Sequence, residues 1–136
     1  MSLSVYLYFD GQCRAAFDHY KSVFDAEEVC CQLFSDGPKE MFGDEPADRI
    51  MHTTLNIGES VLMGSDRTTS FDEPLVASKS FSIAYKPESP AEADRIFPLL
   101  AEGGEITMPL QKTFWGSYYG MCTDRFGVNW MFNCPQ

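Results

Sequence analysis

The stretch AFDHYKSVF, residues 16–24, decides the fold because it belongs to a pattern that the chain contains twice. Its apolar residues have the spacing of an amphipathic helix, and strand-like residues follow it. The stretch AEADRIFPLL, residues 91–100, holds the same place in the second half of the chain. Each half then closes on a turn glycine and an apolar strand, in IGESVLM at 57–63 and in FGVNWMF at 126–132. The pattern predicts two related units that share one core.

Each half of the chain predicts the element order βαβββ. The strand-like runs of the first half lie at 3–9, 27–34, 50–57 and 60–64, with a long loop at 35–48. Those of the second half lie at 80–85, 105–111, 117–122 and 128–133. Ser89 and Pro90 are suited to the start of the second helix, Gly103 is suited to its end, and Pro98 is expected to kink it.

These elements predict a single α+β domain spanning 1–136, with repeat one at 1–66, a linker at 67–78 and repeat two at 79–136. Two βαβββ units that each bury one face can form a curved eight-stranded sheet. The concave trough of such a sheet is a natural place for a small-molecule ligand. Exposed sheet edges favour pairing with a second copy, so we expect a homodimer.

Charge and composition narrow the classes of partner. The chain has 20 acidic and 10 basic residues, a formal net charge of −10, which opposes binding to nucleic acids and to anionic membranes. It has no apolar run of the roughly 20 residues that span a bilayer, and no signal peptide is evident at its start. Its five cysteines fit neither a disulfide framework nor a zinc or redox motif. We therefore expect a cytoplasmic protein with reduced thiols.

Six runs of sequence carry a resemblance to a known family. They are YLYFDG at 6–11, AFDHYKSVF at 16–24, IMH at 50–52, VLMGSD at 61–66, MPLQKTFWG at 108–116 and FGVNWM at 126–131. On these runs the chain resembles the vicinal oxygen chelate superfamily, which has the glyoxalase/bleomycin resistance/dioxygenase fold, and more narrowly its PhnB-like branch. Proteins of this branch often carry a demethylubiquinone methyltransferase label, yet this sequence has no glycine-rich nucleotide loop in a doubly wound pattern.

The resemblance implies four positions for metal ligands, which in metal enzymes of the superfamily are His or Glu on the first and last strands of each repeat. Counted from the helix tyrosine and the turn glycines, they fall here on Val5, Leu62, Met131 and a residue within 80–82. Aliphatic side chains donate no electron pair, and a thioether or hydroxyl is a poor ligand for a hard divalent ion. We therefore expect no metal and no other cofactor.

Two candidate acid–base groups stand out. His52 lies on a predicted strand, where it projects into the trough or forms a hydrogen bond with a neighbour. Lys112 lies beside Phe114 and Trp115 in a predicted loop, a combination suited to a flat or anionic small molecule. The alternative for the two aromatic residues is that they cap the core or a dimer interface.

The sequence leaves three hypotheses of function. The leading one is a metal-free protein that binds a small, partly apolar or aromatic metabolite. Its predicted ligand-binding residues are Val5, Leu7, Leu62, Lys112, Phe114, Trp115, Asn129 and Met131. The second is an enzyme that acts on a small carbonyl compound, with His52 or Lys112 as acid–base and Asn129 orienting the substrate. The third is a structural or interaction role, with the trough filled by its own side chains.

Overall fold

The structure is a computed structural model that describes residues 1–70 and 73–136. Two compact units make up the chain, Met1–Leu75 and Val76–Gln136. The boundary between them falls within the predicted linker 67–78, of which residues 71 and 72 lie outside the described residues. The single domain expected for 1–136 stays a prediction.

The first unit has the predicted order βαβββ. Its elements are β1 (Val5–Phe9), α1 (Cys13–Val23), β2 (Glu27–Leu33), α2 (Lys39–Phe42), β3 (Ile50–Ile57) and β4 (Ser60–Asp66). The four strands form one sheet in the order β1-β4-β3-β2, in which β1 is parallel to β4 and the other neighbours are antiparallel. The region predicted as a long loop contains a 3-10 turn at Phe34–Asp36 as well as the short helix α2.

Helix α1 packs on this sheet through one apolar side. Its buried residues recur at helical spacing and are Cys13, Ala16, Phe17, Tyr20 and Val23. The start of α1 is held by a residue distant in sequence, because the buried carboxylate of Asp66 accepts hydrogen bonds from the backbone N–H groups of Gly11 at 2.7 Å and Cys13 at 3.0 Å. The same carboxylate accepts from the N–H of Ile50 at 2.9 Å, so it ties α1 to β3 and β4.

The second unit repeats the order. Its elements are β5 (Ile83–Tyr85), α3 (Pro90–Ala101), β6 (Glu105–Lys112), β7 (Ser117–Thr123) and β8 (Asn129–Pro135). The sheet order is β5-β8-β7-β6, with β5 parallel to β8 and the other neighbours antiparallel. The second sheet therefore has the topology of the first. The strand predicted at 80–85 is shorter than expected, because only its last three residues pair with β8.

Helix α3 has the start that its sequence predicts. The Ser89 hydroxyl accepts a hydrogen bond from the N–H of Glu92 at 3.1 Å, and Pro90 occupies the first turn. The helix runs through Pro98, which is exposed, and Gly103 follows its end with φ of +78°. The buried side of the helix carries Ala93, Ile96, Phe97, Leu100 and Ala101.

Among the described residues, no helix has the length and apolar character needed to cross a membrane. The cytoplasmic location stays a prediction.

Candidate functional site

Two glycines reveal which side of each sheet carries its helix. A Cβ built on Gly64 of β4 would lie 2.6 Å from the ring of Phe17 in α1. A Cβ built on Gly120 of β7 would lie 3.1 Å from the ring of Phe97 in α3. Because successive side chains of a strand point to opposite sides, the immediate neighbours of these glycines point away from the helices. We call the side without the helix the open face of each sheet.

The open face of the first sheet contains a chain of hydrogen bonds around His52. The Tyr6 hydroxyl lies 3.1 Å from His52 Nδ1, and His52 Nε2 lies 3.0 Å from Thr54 Oγ1. Met63 lies between the two hydroxyl residues, opposite Tyr6 on one side and Thr54 on the other. Both ring nitrogens of His52 therefore have a hydroxyl partner, as the alternative of a hydrogen-bonded strand histidine expects.

The open face of the second sheet is lined by methionine and aromatic side chains. Met121 of β7 lies opposite Met131 of β8, and Tyr119 lies opposite Asn133. The ring of Trp115, in the turn before β7, makes an edge contact with Tyr119 at a centroid distance of 5.7 Å. This surface therefore offers apolar and aromatic contact area beside an amide.

The turn between β6 and β7 carries two strongly exposed aromatic residues. Phe114 is 98% exposed and Trp115 is 55% exposed, and their rings contact each other at 5.1 Å. Within the described residues they do not cap a core. A dimer interface stays open as an alternative for both.

Asn133 has a buried oxygen without a partner. Its Oδ1 atom is shielded from solvent, and no donor among residues 1–70 and 73–136 forms a hydrogen bond with it. By contrast, the side chain of Asn129, on the same face of β8, has hydrogen-bond partners for both its amide group and its oxygen. The Asn129 amide donates to the carbonyl oxygens of Ser78 at 2.6 Å and Phe81 at 3.0 Å, and its Oδ1 accepts from the Thr123 hydroxyl at 2.8 Å. Asn129 thus holds the segment before β5, and neither amide proton remains for a substrate.

The predicted orientation of Val5, Leu7 and Leu62 is wrong. Val5 lies opposite Leu62, Leu7 lies opposite Gly64, and all of these positions point to the α1 side. Leu7 and Leu62 are buried core residues there, at 7% and 4% exposure. Met63, next to Leu62 in β4, lies on the open face.

The face on which each closing strand begins explains this error for Leu62. The prediction counts the same number of residues from the turn glycine in both repeats, and each closing strand does begin two residues after that glycine. Ser60, the first residue of β4, lies on the α1 side, whereas Asn129, the first residue of β8, lies on the open face. The same count therefore reaches opposite sides of the two sheets.

The predicted grouping of Lys112 with the aromatic residues is also wrong. Lys112 is the last residue of β6 and pairs with Tyr118 of β7. The Tyr118 hydroxyl donates to Asp94 of α3 at 2.6 Å, a hydrogen bond that raises the pKa of this tyrosine. Paired residues point to the same side, so Lys112 lies on the α3 side and away from the open face. The cause is that β6 extends one residue beyond its predicted end.

Of the predicted binding residues, the structure leaves Asn129 and Met131 on the open face and Phe114 and Trp115 at its rim. Four further open-face residues were not predicted from the sequence, namely Tyr6, Met63, Tyr119 and Asn133. The alternation of Tyr6 and Tyr8 with buried Leu7 and Phe9 is a signal that could have found the first of them. The unpaired state of Asn133 has no sequence signal.

The first and last strands of each repeat do not offer the donors of a typical divalent metal site. Their open-face residues are Tyr6, Tyr8, Val61, Met63, Ser65, Ala84, Asn129, Met131, Asn133 and Pro135. None is a histidine or a carboxylate, and Asn129 is already engaged. Among the described residues, no three His, Cys, Asp or Glu side chains are grouped to hold a metal ion. The donor set therefore does not fit the metal that the superfamily implies.

Comparison with known proteins agrees with this architecture. The family profile described as 3-demethylubiquinone-9 3-methyltransferase matches residues 1–132. The crystal structure of PA1353 from Pseudomonas aeruginosa is 44% identical, covers 99% of both chains and superposes with a TM-score of 0.83. The PhnB protein of Bacillus cereus is 23% identical over 98% of this chain and 99% of its own, with a TM-score of 0.79. This chain belongs to the PhnB-like family.

Two further proteins resemble this chain in sequence or in fold. The protein YjdN of Escherichia coli K12 is 32% identical, across 98% of this chain and 95% of its own. A glyoxalase/bleomycin resistance protein/dioxygenase family enzyme from Burkholderia phytofirmans shares the fold at 14% identity, with a TM-score of 0.63 over 98% and 97% of the two chains. The predicted α+β fold class and the predicted branch are both confirmed.

Proposed function

We propose that this PhnB-like protein binds a small, partly apolar or aromatic metabolite on an open sheet face, without a metal ion. The observation that carries the proposal is the residue content of the first and last strands of each repeat. Where metal enzymes of the superfamily have His or Glu, these open faces have tyrosine, methionine, aliphatic and neutral polar side chains. Such side chains recognise a ligand by shape, stacking and a few hydrogen bonds.

Of the two open faces, that of the second sheet is the more favourable surface for binding a ligand. It combines Met121, Met131 and Tyr119 with the exposed ring of Trp115 at its rim. Methionine adapts to varied apolar shapes, and edge-contacting aromatic rings form a rigid surface. We infer that ligand contact area comes mainly from these four side chains.

A thermal-shift screen of a metabolite library against dialysed protein tests this proposal. A ligand present at 100 times its Kd should stabilise the fold by about 2.7 kcal/mol, with or without EDTA. Met131→Asp should abolish the shift, because it places a charge within the contact surface. Lys112→Ala is the matched control on the other side of the same sheet and should keep the shift.

Two results would contradict the proposal. One is stoichiometric zinc, nickel or iron in the dialysed protein together with a ligand response that chelation removes. The other is a complete screen in which every ligand-induced shift is as large in Met131→Asp as in the wild type. A screen in which no compound shifts the wild type would favour the purely structural role.

An acid–base enzyme is the second candidate, and the Tyr6–His52–Thr54 chain favours it. Two hydroxyl groups fix the orientation of the His52 ring, and the Tyr6 phenol can pass a proton to or from Nδ1. Lys112 lacks comparable support, because it lies on the α3 side. Turnover of a panel of small aldehydes and ketones should fall at least about 100-fold in His52→Ala if this candidate holds. His19→Ala, which changes the other histidine, should keep wild-type turnover.

We infer further that the protein is a homodimer. Edge strands β2 and β6 expose Val29, Ile106 and Met108, apolar residues that a second copy could cover. Light scattering coupled to gel filtration should give twice the chain mass of 15.3 kDa. A single-chain mass at 100 µM, on the order of the concentration where weak dimers assemble, would contradict it.

A further inference from the structure

The hydroxyl group of Tyr6 is paired with a base on the open face of the first sheet. Tyr6 reaches from β1 to β3, where its oxygen lies 3.1 Å from His52 Nδ1. A general base takes a proton from a hydroxyl group over a distance of this size. An ordinary phenol is protonated at neutral pH and is then a weak nucleophile, so its reactivity depends on a base that removes the proton.

A third residue fixes the orientation of the His52 ring. The Thr54 hydroxyl lies 3.0 Å from His52 Nε2, the second ring nitrogen. When Nε2 carries the ring proton and donates it to Thr54, Nδ1 has an electron pair for the proton of Tyr6. A nucleophile, a base and a group that orients the base form the geometric pattern of nucleophilic catalysis. Hydroxyl nucleophiles paired with an imidazole in this way attack acyl carbon atoms.

The three side chains are accessible, because Tyr6, His52 and Thr54 are all half-buried and lie on the side of the sheet away from α1. Tyr8 provides a natural comparison on the same strand and the same face. It is 63% exposed, and its ring contacts that of Tyr6 at a centroid distance of 5.1 Å. The two tyrosines therefore share their surroundings, and Tyr6 is the one whose hydroxyl is bonded to His52.

We propose that Tyr6 is a nucleophile that accepts an acyl group from an activated ester, with His52 as its general base and Thr54 as a positioning residue. The phenolic oxygen attacks the acyl carbon while its proton passes to His52 Nδ1. The bond between the acyl carbon and the leaving oxygen then breaks, and the proton goes to that departing oxygen. This inference goes beyond the proposed function, which requires no covalent bond to the protein.

Acetylation of the full-length protein by p-nitrophenyl acetate tests the proposal, because this small ester carries an activated acetyl group. Peptide mass spectrometry with fragmentation follows the rate at each tyrosine separately. We expect Tyr6 to be acetylated at least about tenfold faster than Tyr8, although Tyr8 is the more exposed of the two. Tyr6→Phe should remove the fast site, and Tyr8→Phe should leave the rate at Tyr6 unchanged.

His52→Gln is the decisive variant, because glutamine keeps hydrogen-bonding groups near Tyr6 but is not a base. It should slow acetylation of Tyr6 at least about 100-fold and leave the rate at Tyr8 unchanged. His19→Gln, which changes the other histidine, is the matched control and should keep the wild-type rate. Circular dichroism establishes that each variant is folded.

Two variants of Thr54 test its positioning role and decide the question if His52→Gln does not fold. Thr54→Val keeps the shape of the side chain and removes the hydroxyl, so acetylation of Tyr6 should slow by about tenfold. Thr54→Ser keeps the hydroxyl and should retain the wild-type rate. If Thr54 acted only through packing of its methyl group, the two variants would show the opposite pattern.

Three outcomes would overturn the inference. They are acetylation of Tyr8 as fast as that of Tyr6, a Tyr6 rate that survives in folded His52→Gln, and acetylation that spares Tyr6 altogether. None of them bears on the thermal-shift screen, whose variants lie in the second sheet. Conversely, a screen without a ligand would contradict metabolite binding and leave fast acetylation of Tyr6 in place.

Discussion

The buried Cys122 thiol makes the free energy of unfolding depend on pH. Cys122 is 1% exposed on the α3 side of β7, and burial, assisted by the nearby Asp124, raises its pKa from 9.0 to about 12. Burial raises the pKa of the Cys13 thiol as well, so the position of Cys13 at the start of α1 does not make it a reactive thiolate. Both thiols stay protonated in the folded protein at neutral pH.

The raised pKa of Cys122 predicts a loss of stability at alkaline pH. Below pH 9 the thiol is protonated in both states, and the stabilisation is complete. Between pH 9 and about 12 the unfolded thiol ionises first, which lowers the free energy of unfolding by up to about 1.4 kcal/mol per pH unit from this residue. Cys122→Val removes the titrating group, so its urea midpoint should fall less steeply with pH than that of the wild type.

Measurement at pH 7 provides the control for this prediction. There the two proteins should differ by no more than about 1.5 kcal/mol, because the exchange nearly conserves volume. Parallel curves for the two proteins from pH 7 to 11 would show that Cys122 does not contribute.

At the scale of elements, the two helices begin in different ways, and this predicts unequal effects of mutation. Asp66→Ala would leave the buried N–H groups of Cys13 and Ile50, and the part-buried N–H of Gly11, without their shared acceptor, so we expect a loss of about 3–5 kcal/mol. Ser89→Ala removes one hydrogen bond at the start of α3 and should cost about 1 kcal/mol. Urea unfolding monitored by circular dichroism measures both. Equal costs for the two variants would contradict the anchoring role of Asp66.

The helices and strands also show which parts of the fold could be predicted from the sequence. The helices and most strands were predictable because their signals are local, namely apolar periodicity, the Ser89–Pro90 start and the Gly103 end. The two faces of β8 were also predictable, with Trp130 and Phe132 in the core. The faces of β1 and β4 were not, because a fixed count from the helix tyrosine or the turn glycine does not tell to which side the first residue of a strand points. The engagement of Asn129 and the unpaired oxygen of Asn133 depend on tertiary contacts, which leave no trace in local sequence.

On the scale of the whole molecule, the sheet orders predict where the backbone is most protected. Strands β3 and β4 are central in the first sheet, and β7 and β8 are central in the second. Hydrogen exchange followed by mass spectrometry should show peptides from these strands exchanging at least about tenfold more slowly than those from β6, an edge strand whose residues are almost all exposed. Uniform exchange across both sheets would contradict the prediction.

Repeating the hydrogen-exchange experiment at several protein concentrations also tests the homodimer proposal. If β6 becomes protected as the concentration rises, a second copy covers that edge, as the homodimer proposal expects. Protection of β6 that is already complete at the lowest concentration would indicate that the chain itself shields this strand.

The two tryptophans give the protein a pair of separate optical reporters. Trp130 is 2% exposed and donates its indole N–H to Asp124 at 2.9 Å, whereas Trp115 projects from the turn before β7. Their fluorescence should therefore resolve into a blue emission that acrylamide barely quenches and a red emission that it quenches readily. The blue emission reports on unfolding, and the red emission reports on occupancy of the surface beside Trp115. A single fluorescence measurement can therefore distinguish a ligand that binds from a compound that denatures the protein.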